Sequence, residues 1–257
     1  VVARDDGQQI VSTSGGPQIH SVVTGYLVTE LMDKVIPDSM LFRRAFSREN
    51  RVRIWDAVIR LFVQLHGNGV YWGDASLANM LIHFSTEIVP ELGHRTRLYA
   101  VLADAETVEI HSTISDRLRQ ADLEFFLESM QWTEADLIAS GVVRDTLLTL
   151  DDTEYLRRSY EELFAVDLEM RSFELVTRID ADRMLGSFDV KGYGKLLLQH
   201  IQEHKWYMSE RKGAEVTVVE AAENWYREVF RPVCRIFQDY GLLTFFPDMT
   251  ASSLYVE

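Results

Sequence analysis

Between Arg51 and Gly69, apolar residues return every three or four positions. Ile54, Ala57, Val58, Leu61, Phe62 and Leu65 fall on one stripe. That period predicts an amphipathic helix over "RVRIWDAVIRLFVQLHGNG", with Asn50 as N-cap and Gly67 or Gly69 ending it. Upstream the pattern changes. "SVVTGYLVTELM" is rich in β-branched residues and reads as a buried strand ending between Glu30 and Asp33. "VVARDDGQQIV" alternates around Asp-Asp-Gly and reads as the end of a hairpin. "STSGGPQ" reads as a loop, and "IPDSMLFRRAF" as a connection with a short helix.

Beyond the helix, "NMLIHF" predicts a short strand, "STEIVPELGHRT" a loop, and "RLYAVLADAETVEI" a second strand running into Asp104. The two strands would form a hairpin with a long connection. From about Ser115 onward the helical period dominates. "TVVEAAENWYREVFRPVCRIFQDYG" predicts a helix opened by a Thr217–Glu220 capping box, kinked at Pro232 and stopped at Gly241.

Composition narrows the function classes. The chain has 257 residues, 47% hydrophobic and 26% charged, enough for a sizeable core. A formal net charge of -14 speaks against a nucleic-acid groove, which needs a Lys/Arg stripe, and less firmly against an anionic membrane surface. A protein of this charge that handles phosphates must bring Mg²⁺ or a local basic patch. Cys234 is the single cysteine, so there is no disulfide framework or thiolate cluster, and a cytoplasmic setting is expected. The longest apolar runs, such as "AVIRLFVQL", fall short of a transmembrane segment. The chain opens at Val1 with sequence that reads as mid-domain and shows no signal peptide, so a truncated start is expected.

The chemistry concentrates in "GVYWGDASLANML", residues 69–81. A polar turn before a buried strand would look much the same. Yet a helix ending in "LH", a Gly-Asp turn, Asn five residues on, and a hairpin whose second strand ends in Asp is the order of parts in a kinase-type catalytic lobe. Phosphoryl transfer is mostly positioning and charge neutralisation, so one carboxylate orients the hydroxyl while an amide oxygen and a second carboxylate hold Mg²⁺ on the phosphates. On this mapping Asp74 is the catalytic carboxylate, and Asn79 and Asp104 are the metal ligands. Trp72 and Gly73 stand where most protein kinases have His-Arg, and no Ala-Pro-Glu segment follows.

Three segments extend the likeness: "VYWGDASLANMLI", "YAVLADAETVEIHSTISDRLRQADLE" and "EHKWYMSERKG". They resemble a bacterial family of unknown function described as similar to lipopolysaccharide kinases of the Kdo type, across about residues 20 to 210. Ala75 stands where that family usually has Cys, and Val108 where it usually has Gly. The resemblance implies an α+β, protein-kinase-like fold. Residues 1–33 would be a remnant of the small lobe and hinge, 34–165 a mostly helical catalytic lobe with an embedded hairpin, and 166–257 a helical extension. Glu30 and Met32, in the hinge, would contact ATP.

One absence weighs against activity. A kinase needs a Gly-rich loop and a strand Lys paired with a helix Glu. None of Lys34, Lys191, Lys195, Lys205 and Lys212 lies upstream of "GYLVTELM", and no G-x-G-x-x-G occurs. The expectation is an ATP- and Mg²⁺-dependent phosphotransferase acting on a hydroxyl of a sugar or small molecule, inactive as this chain. The alternative is a pseudokinase scaffold that binds a protein partner through the helical extension. A metal-dependent hydrolase is disfavoured because no His cluster accompanies the acids. Among the remaining polar residues, His66 is read as bracing the loop and Glu106 as a metal-supporting group or a surface acid. Asp116 and Asp122 are read as helix caps, with loop support as the alternative. Trp206 and Tyr207 are read as packing on the core, and Cys234 as an inert buried thiol.

Overall fold

A computed structural model describes residues 2–13, 16–27, 33–43, 47–89, 93–142, 148–180, 192–246 and 249–256. It is mixed helix and sheet, with helix dominant and the sheets small and antiparallel. Two units separate at Val35. The first holds a hairpin of β1 (Val2–Thr13) and β2 (Gly16–Leu27), in register from Val2 opposite Leu27 to Thr13 opposite Gly16. The predicted loop "STSGGPQ" is therefore mostly strand, because Ser12 pairs with Pro17 and Thr13 with Gly16. Glu30 and Met32, the hinge residues expected to meet ATP, lie outside the described residues.

At the boundary stands β3 (Val35–Pro37), and the second unit, from Ile36, goes on with the short helix α1 (Asp38–Leu41). Helix α2 spans Arg48–Gly67. Ser47, not Asn50, is its N-cap: the Ser47 hydroxyl accepts from the Asn50 amide, so Asn50 supplies the third helical N–H instead of the capping oxygen. The predicted stripe is buried apart from the partly exposed Leu65, and Trp55, Ile59, Val63 and His66 join it. A face that wide means the helix is packed from more than one side.

After α2 come β4 (Val70–Tyr71), a 3-10 turn (Leu77–Asn79), β5 (Met80–Val89), β6 (Gly93–Leu102) and β7 (Glu109–Ile110). β5 lies between β3 and β6, and β4 pairs with β7. The hairpin exists, but its arms are longer and its connection shorter than predicted. Pairing continues through Ser85–Arg97, Thr86–Thr96 and Ile88–His94 to Val89–Gly93. The β-branched residues there favour strand, and ladder bonds satisfy a backbone whose composition suggested a loop.

Among the described residues, three long helices follow, α3 (Asp116–Ala139), α4 (Leu150–Thr177) and α5 (Tyr193–Lys212), and then the shorter α6 (Val218–Trp225). Thr217 caps α6 by accepting from the Glu220 amide. The run then widens into a π-helical turn (Tyr226–Phe230) before α7 (Arg231–Asp239), with Pro232 in the first turn of α7. Proline has no N–H, and its ring crowds the carbonyl four residues back. The π turn is where that misfit is absorbed. α8 (Ala251–Val256) closes the described chain.

Two apolar cores share α4. The first includes Trp55, Phe62, Trp72, Leu77, Met80, Phe126, Tyr160 and Phe164; the second includes Val166, Phe173, Leu197, Trp225 and Phe230. Each large side chain so buried contributes about 1.5–3 kcal/mol. Trp206 and Tyr207 belong to neither. Each is 59% exposed, and the two rings pack edge-to-face on each other at 4.9 Å. Their positions fall on the outer face of α5, so the expectation that they pack on the core fails. Cys234 is half-buried, its thiol donates to the Ala251 carbonyl, and burial pushes its pKa up to about 11. It is protonated and unreactive near neutrality.

The start of α4 is tied to α2 through a buried carboxylate. Asp152 accepts from the Thr149 amide (2.9 Å) and hydroxyl (2.6 Å), from Trp55 Nε1 (3.1 Å) and from Arg51 Nε (3.4 Å). Burial alone would push this carboxyl up. The bonds from Thr149 and Trp55 and the Arg51 charge outweigh it and hold the group below the usual carboxylate range. A depressed carboxylate contributes stability above its unfolded pKa, about 3.9, and loses it as pH falls through the folded value. Asp152→Asn is expected to cost about 1–3 kcal/mol at neutral pH. Urea denaturation should show the gap between wild type and variant shrinking progressively as pH falls below about 4. A constant gap down to pH 3 would mean the carboxylate charge is not what holds the helices together.

Candidate active site

The loop between β4 and the 3-10 turn is shaped by two glycines and a set of backbone bonds. Gly69 has φ +74 and Gly73 φ +81, values that side-chain-bearing residues adopt at a cost. A Cβ on Gly69 would run into the His111 carbonyl, and the His111 amide donates to the Gly69 carbonyl at 2.8 Å. Trp72 turns fully into the first core. Asp74 follows at the rim, partly buried, and its carbonyl accepts from the Ser76 amide at 2.7 Å. The Leu77 amide donates to Ser129 Oγ at 3.0 Å, anchoring the 3-10 turn to α3.

That turn brings Asn79 back onto Asp74. Asn79 Nδ2 donates to Asp74 Oδ2 at 2.9 Å and to the Asp74 carbonyl at 3.3 Å. Asn79 Oδ1 thereby faces away from the carboxylate with its lone pairs unspent on Asp74. Its backbone carbonyl accepts from the Ala103 amide at 2.8 Å, which extends the β5–β6 ladder one step past Met80–Leu102. Asp104 is the next residue. It is exposed, and Asp104 Oδ1 accepts from the Glu106 amide at 3.0 Å. The fold thus gathers all three residues at one end of the hairpin. Glu106 itself is exposed.

Beneath the loop lies a buried polar network. Asp122, 0% exposed on α3, accepts from the Trp72 amide (Oδ2, 2.7 Å) and the Gly73 amide (Oδ1, 2.8 Å). His66 Nε2 lies 3.1 Å from Asp122 Oδ2, and His66 Nδ1 lies 2.6 Å from the Tyr160 hydroxyl. Arg119 Nη1 donates to Tyr160 at 2.8 Å and Nη2 to Asp116 at 2.9 Å. Thr107 Oγ1 donates to the Trp72 carbonyl at 2.8 Å, from the other side.

His66 braces the loop as expected. Asp122 is no helix cap: Ser115 caps α3, Asp116 sits in its first turn, and Asp122 lies mid-helix holding the loop. Arg119 and Tyr160 were not singled out. Their signal is a charged residue on an apolar face, since Arg119, Asp122, Leu123 and Phe126 follow helical spacing and all are buried. A buried charge needs partners, and Asp122 finds them in the loop.

Among the described residues, no three of His, Cys, Asp and Glu converge to hold a metal. Asn79 and Asp104 are hard oxygen donors, and Mg²⁺ is commonly held by one or two such groups plus substrate phosphates, so they fit that ion. Among the described residues, no lysine lies on a strand. Lys34 lies in a bend before β3, and Lys195, Lys205 and Lys212 are all on α5, where the last two pair with Glu215 and Glu220. No described helix is long and apolar enough to cross a membrane.

No family model matches the chain, and no curated protein matches it. Among solved structures, it is similar to a chain described as "WaaP in complex with acyl carrier protein", at 18% identity and a TM-score of 0.37. The match covers 60% of this chain and 56% of that one, so this chain spans just over half of its length.

Removing the acceptor beneath the loop should be costly. Asp122→Ala leaves two buried amides and an imidazole N–H without partners, at about 1–3 kcal/mol for each unsatisfied group. Chemical denaturation should register a loss of about 3 kcal/mol or more. A loss under about 1 kcal/mol would mean that water replaces the carboxylate and the network is not structural.

Proposed function

We propose that this chain carries the catalytic lobe of a kinase-like phosphotransferase that uses Mg²⁺ and ATP to phosphorylate a hydroxyl of a sugar or small molecule. On this reading residues 34–165 are the catalytic lobe, 166–257 a helical extension and 1–33 a remnant of the small lobe and hinge, in which Glu30 and Met32 are the residues expected to contact ATP. The observation that carries the reading is the bond from Asn79 Nδ2 to Asp74 Oδ2, with the Ala103 amide bonding the Asn79 carbonyl so that Asp104, the next residue, leaves from the same end of the hairpin.

In this reading Asp74 accepts the proton of the attacking hydroxyl. Asn79 holds the Asp74 carboxylate in place and offers Oδ1 outward, while Asp104 offers its exposed carboxylate. Mg²⁺ held by those two residues would neutralise phosphate charge. Trp72, fully buried behind the loop, keeps water from reaching Asp74 from the core side.

A second reading has its own support. No described lysine lies on a strand, and a kinase needs a strand Lys on the phosphates, which favours a scaffold whose helical extension binds a protein partner. The 257-residue chain alone is expected to turn over no ATP on either reading.

The two separate in a form of the protein that binds Mg²⁺-ATP. Asp74→Ala should leave nucleotide affinity nearly unchanged and cut turnover by about 10²–10⁴, the usual contribution of a positioned acid–base group. Asp104→Ala should weaken Mg²⁺-dependent ATP binding as well, because the metal loses an anionic ligand. Calorimetric titration followed by a turnover assay reads both. Equal affinity in all three proteins would remove the metal role from Asp104.

A further inference from the structure

The network under the loop has a direction, and the direction follows from donor counts. A guanidinium has donors only. Where Arg119 Nη1 meets the Tyr160 oxygen at 2.8 Å, the phenol must therefore accept. Its single O–H is then free to donate, and the atom in front of it is His66 Nδ1 at 2.6 Å. That nitrogen must carry a lone pair, which puts the imidazole proton on Nε2, facing Asp122 Oδ2 at 3.1 Å. Asp122 accepts it together with the amides of Trp72 and Gly73.

The opposite tautomer is disfavoured at both ends. A proton on Nδ1 would make the phenol oxygen accept from both His66 and Arg119 and turn the phenol O–H away from the imidazole. A bare Nε2 would face Asp122 Oδ2 with two lone pairs and no proton between them. The Arg119 end is itself fixed. Its guanidinium lies over the Phe164 ring at 4.0 Å, donates to Asp116, and has Glu161 at 3.6 Å. Burial pushes the Tyr160 phenol well above its ordinary range, although the Arg119 bond and charge pull the other way, so the hydroxyl keeps its proton.

We propose that Tyr160 and Arg119 are positioning residues for Asp74. The guanidinium–phenol–imidazole–carboxylate chain locks His66 in the Nε2–H tautomer and so clamps the Trp72–Gly73 backbone that delivers Asp74 to the rim. Only the last step rests on the reading of Asp74 as the acting carboxylate. The clamp itself stands on proton bookkeeping. It also links the loop to α4, the helix that carries the second core, so a change in the helical extension has a polar route to the site.

The test reads the tautomer directly. In the 257-residue chain with ¹⁵N-labelled histidine, long-range ¹⁵N–¹H correlation should show His66 as Nε2–H, assigned by its loss in His66→Gln. Tyr160→Phe should release it to a mixture of tautomers. Amide exchange at Trp72 and Gly73 should then quicken by about tenfold relative to the α5 amides, the scale of one buried hydrogen bond. If Tyr160→Phe does not fold, Arg119→Met carries the same test, since it frees the phenol oxygen to accept from Nδ1–H. An Nδ1–H signal in the wild type overturns the proposal. So does a variant in which tautomer and exchange are both unaltered. Neither readout needs turnover, so a form of the protein that binds Mg²⁺-ATP without phosphotransfer would count against the function and leave the clamp in place.

Discussion

The geometry of this molecule turns on one buried carboxylate. Asp122 sits in the first apolar core with no solvent to screen it, and an ionised group there persists only if its oxygens are satisfied. Three donors do this: the Trp72 and Gly73 amides and His66. Because two of them are consecutive backbone N–H groups, the carboxylate fixes a peptide plane as well as a contact. The rest of the loop is a consequence. Trp72 is drawn inward, Gly73 takes the positive φ that reverses the chain, and Asp74 emerges at the rim with its side chain free to meet Asn79.

The helices that carry this network are themselves cross-tied. Asp152 of α4 bonds Trp55 and Arg51, Tyr155 donates to Asp56, Tyr160 bonds His66, and Arg171 reaches Asn68 just past the end of α2. The partners advance in the same direction along both helices, so α2 and α4 run side by side in parallel. From Asp152 to Tyr160 the axis advances about 12 Å, at about 1.5 Å per residue. Over that stretch polar bonds set the register, while Phe62, Tyr160 and Phe164 fill the space between. Past Phe164 the same helix enters the second core. α4 is thus a shared strut, and packing around Trp225 and Phe230 bears on the helix that holds His66.

What could be read from sequence divides along the range of the interaction. Asp74 and Asn79 are five residues apart in one turn, and the turn chemistry of that short segment showed them together. The helical stripe of α2 was equally legible, because a 3.6-residue period is a local signal. Asp122 is legible only as the second of two readings, loop support behind helix cap, because an acid in mid-helix looks like any solvated residue until the loop that needs it, some fifty positions earlier, is folded against it. The long hairpin failed for a related reason: "STEIV" and "GHRT" become strand only through each other, and cross-strand pairing leaves little trace in either segment alone. Trp206 and Tyr207 erred the other way. Aromatic residues near a helix end read as core, but only their position around the helix decides that, and it turns them outward.

The segment after Asp104 shows how completely the site is set by the fold. Residues 104–115 connect β6 to α3, and they are held at several points. The Val108 amide bonds the Ala105 carbonyl, Thr107 bonds the Trp72 carbonyl, and β7 pairs with β4 through Val70–Ile110 and Tyr71–Glu109. His111 then bonds Gly69, at the glycine where no side chain would fit. A segment so pinned has no room to swing as a hinged flap does. The Asp104 carboxylate leaves it from a turn closed by its own bond to Glu106, one residue past the ladder step that fixes Asn79. Side chains held this way pay little ordering entropy when a ligand meets them, and that saving is the physical content of preorganisation. In a chain of net charge -14, an exposed acid at the end of a rigid hairpin would otherwise only add repulsion. On the proposed reading, the Asp104 carboxylate and the outward-facing Asn79 Oδ1 would offer hard oxygens to a cation from one end of a hairpin whose backbone bonds already hold them.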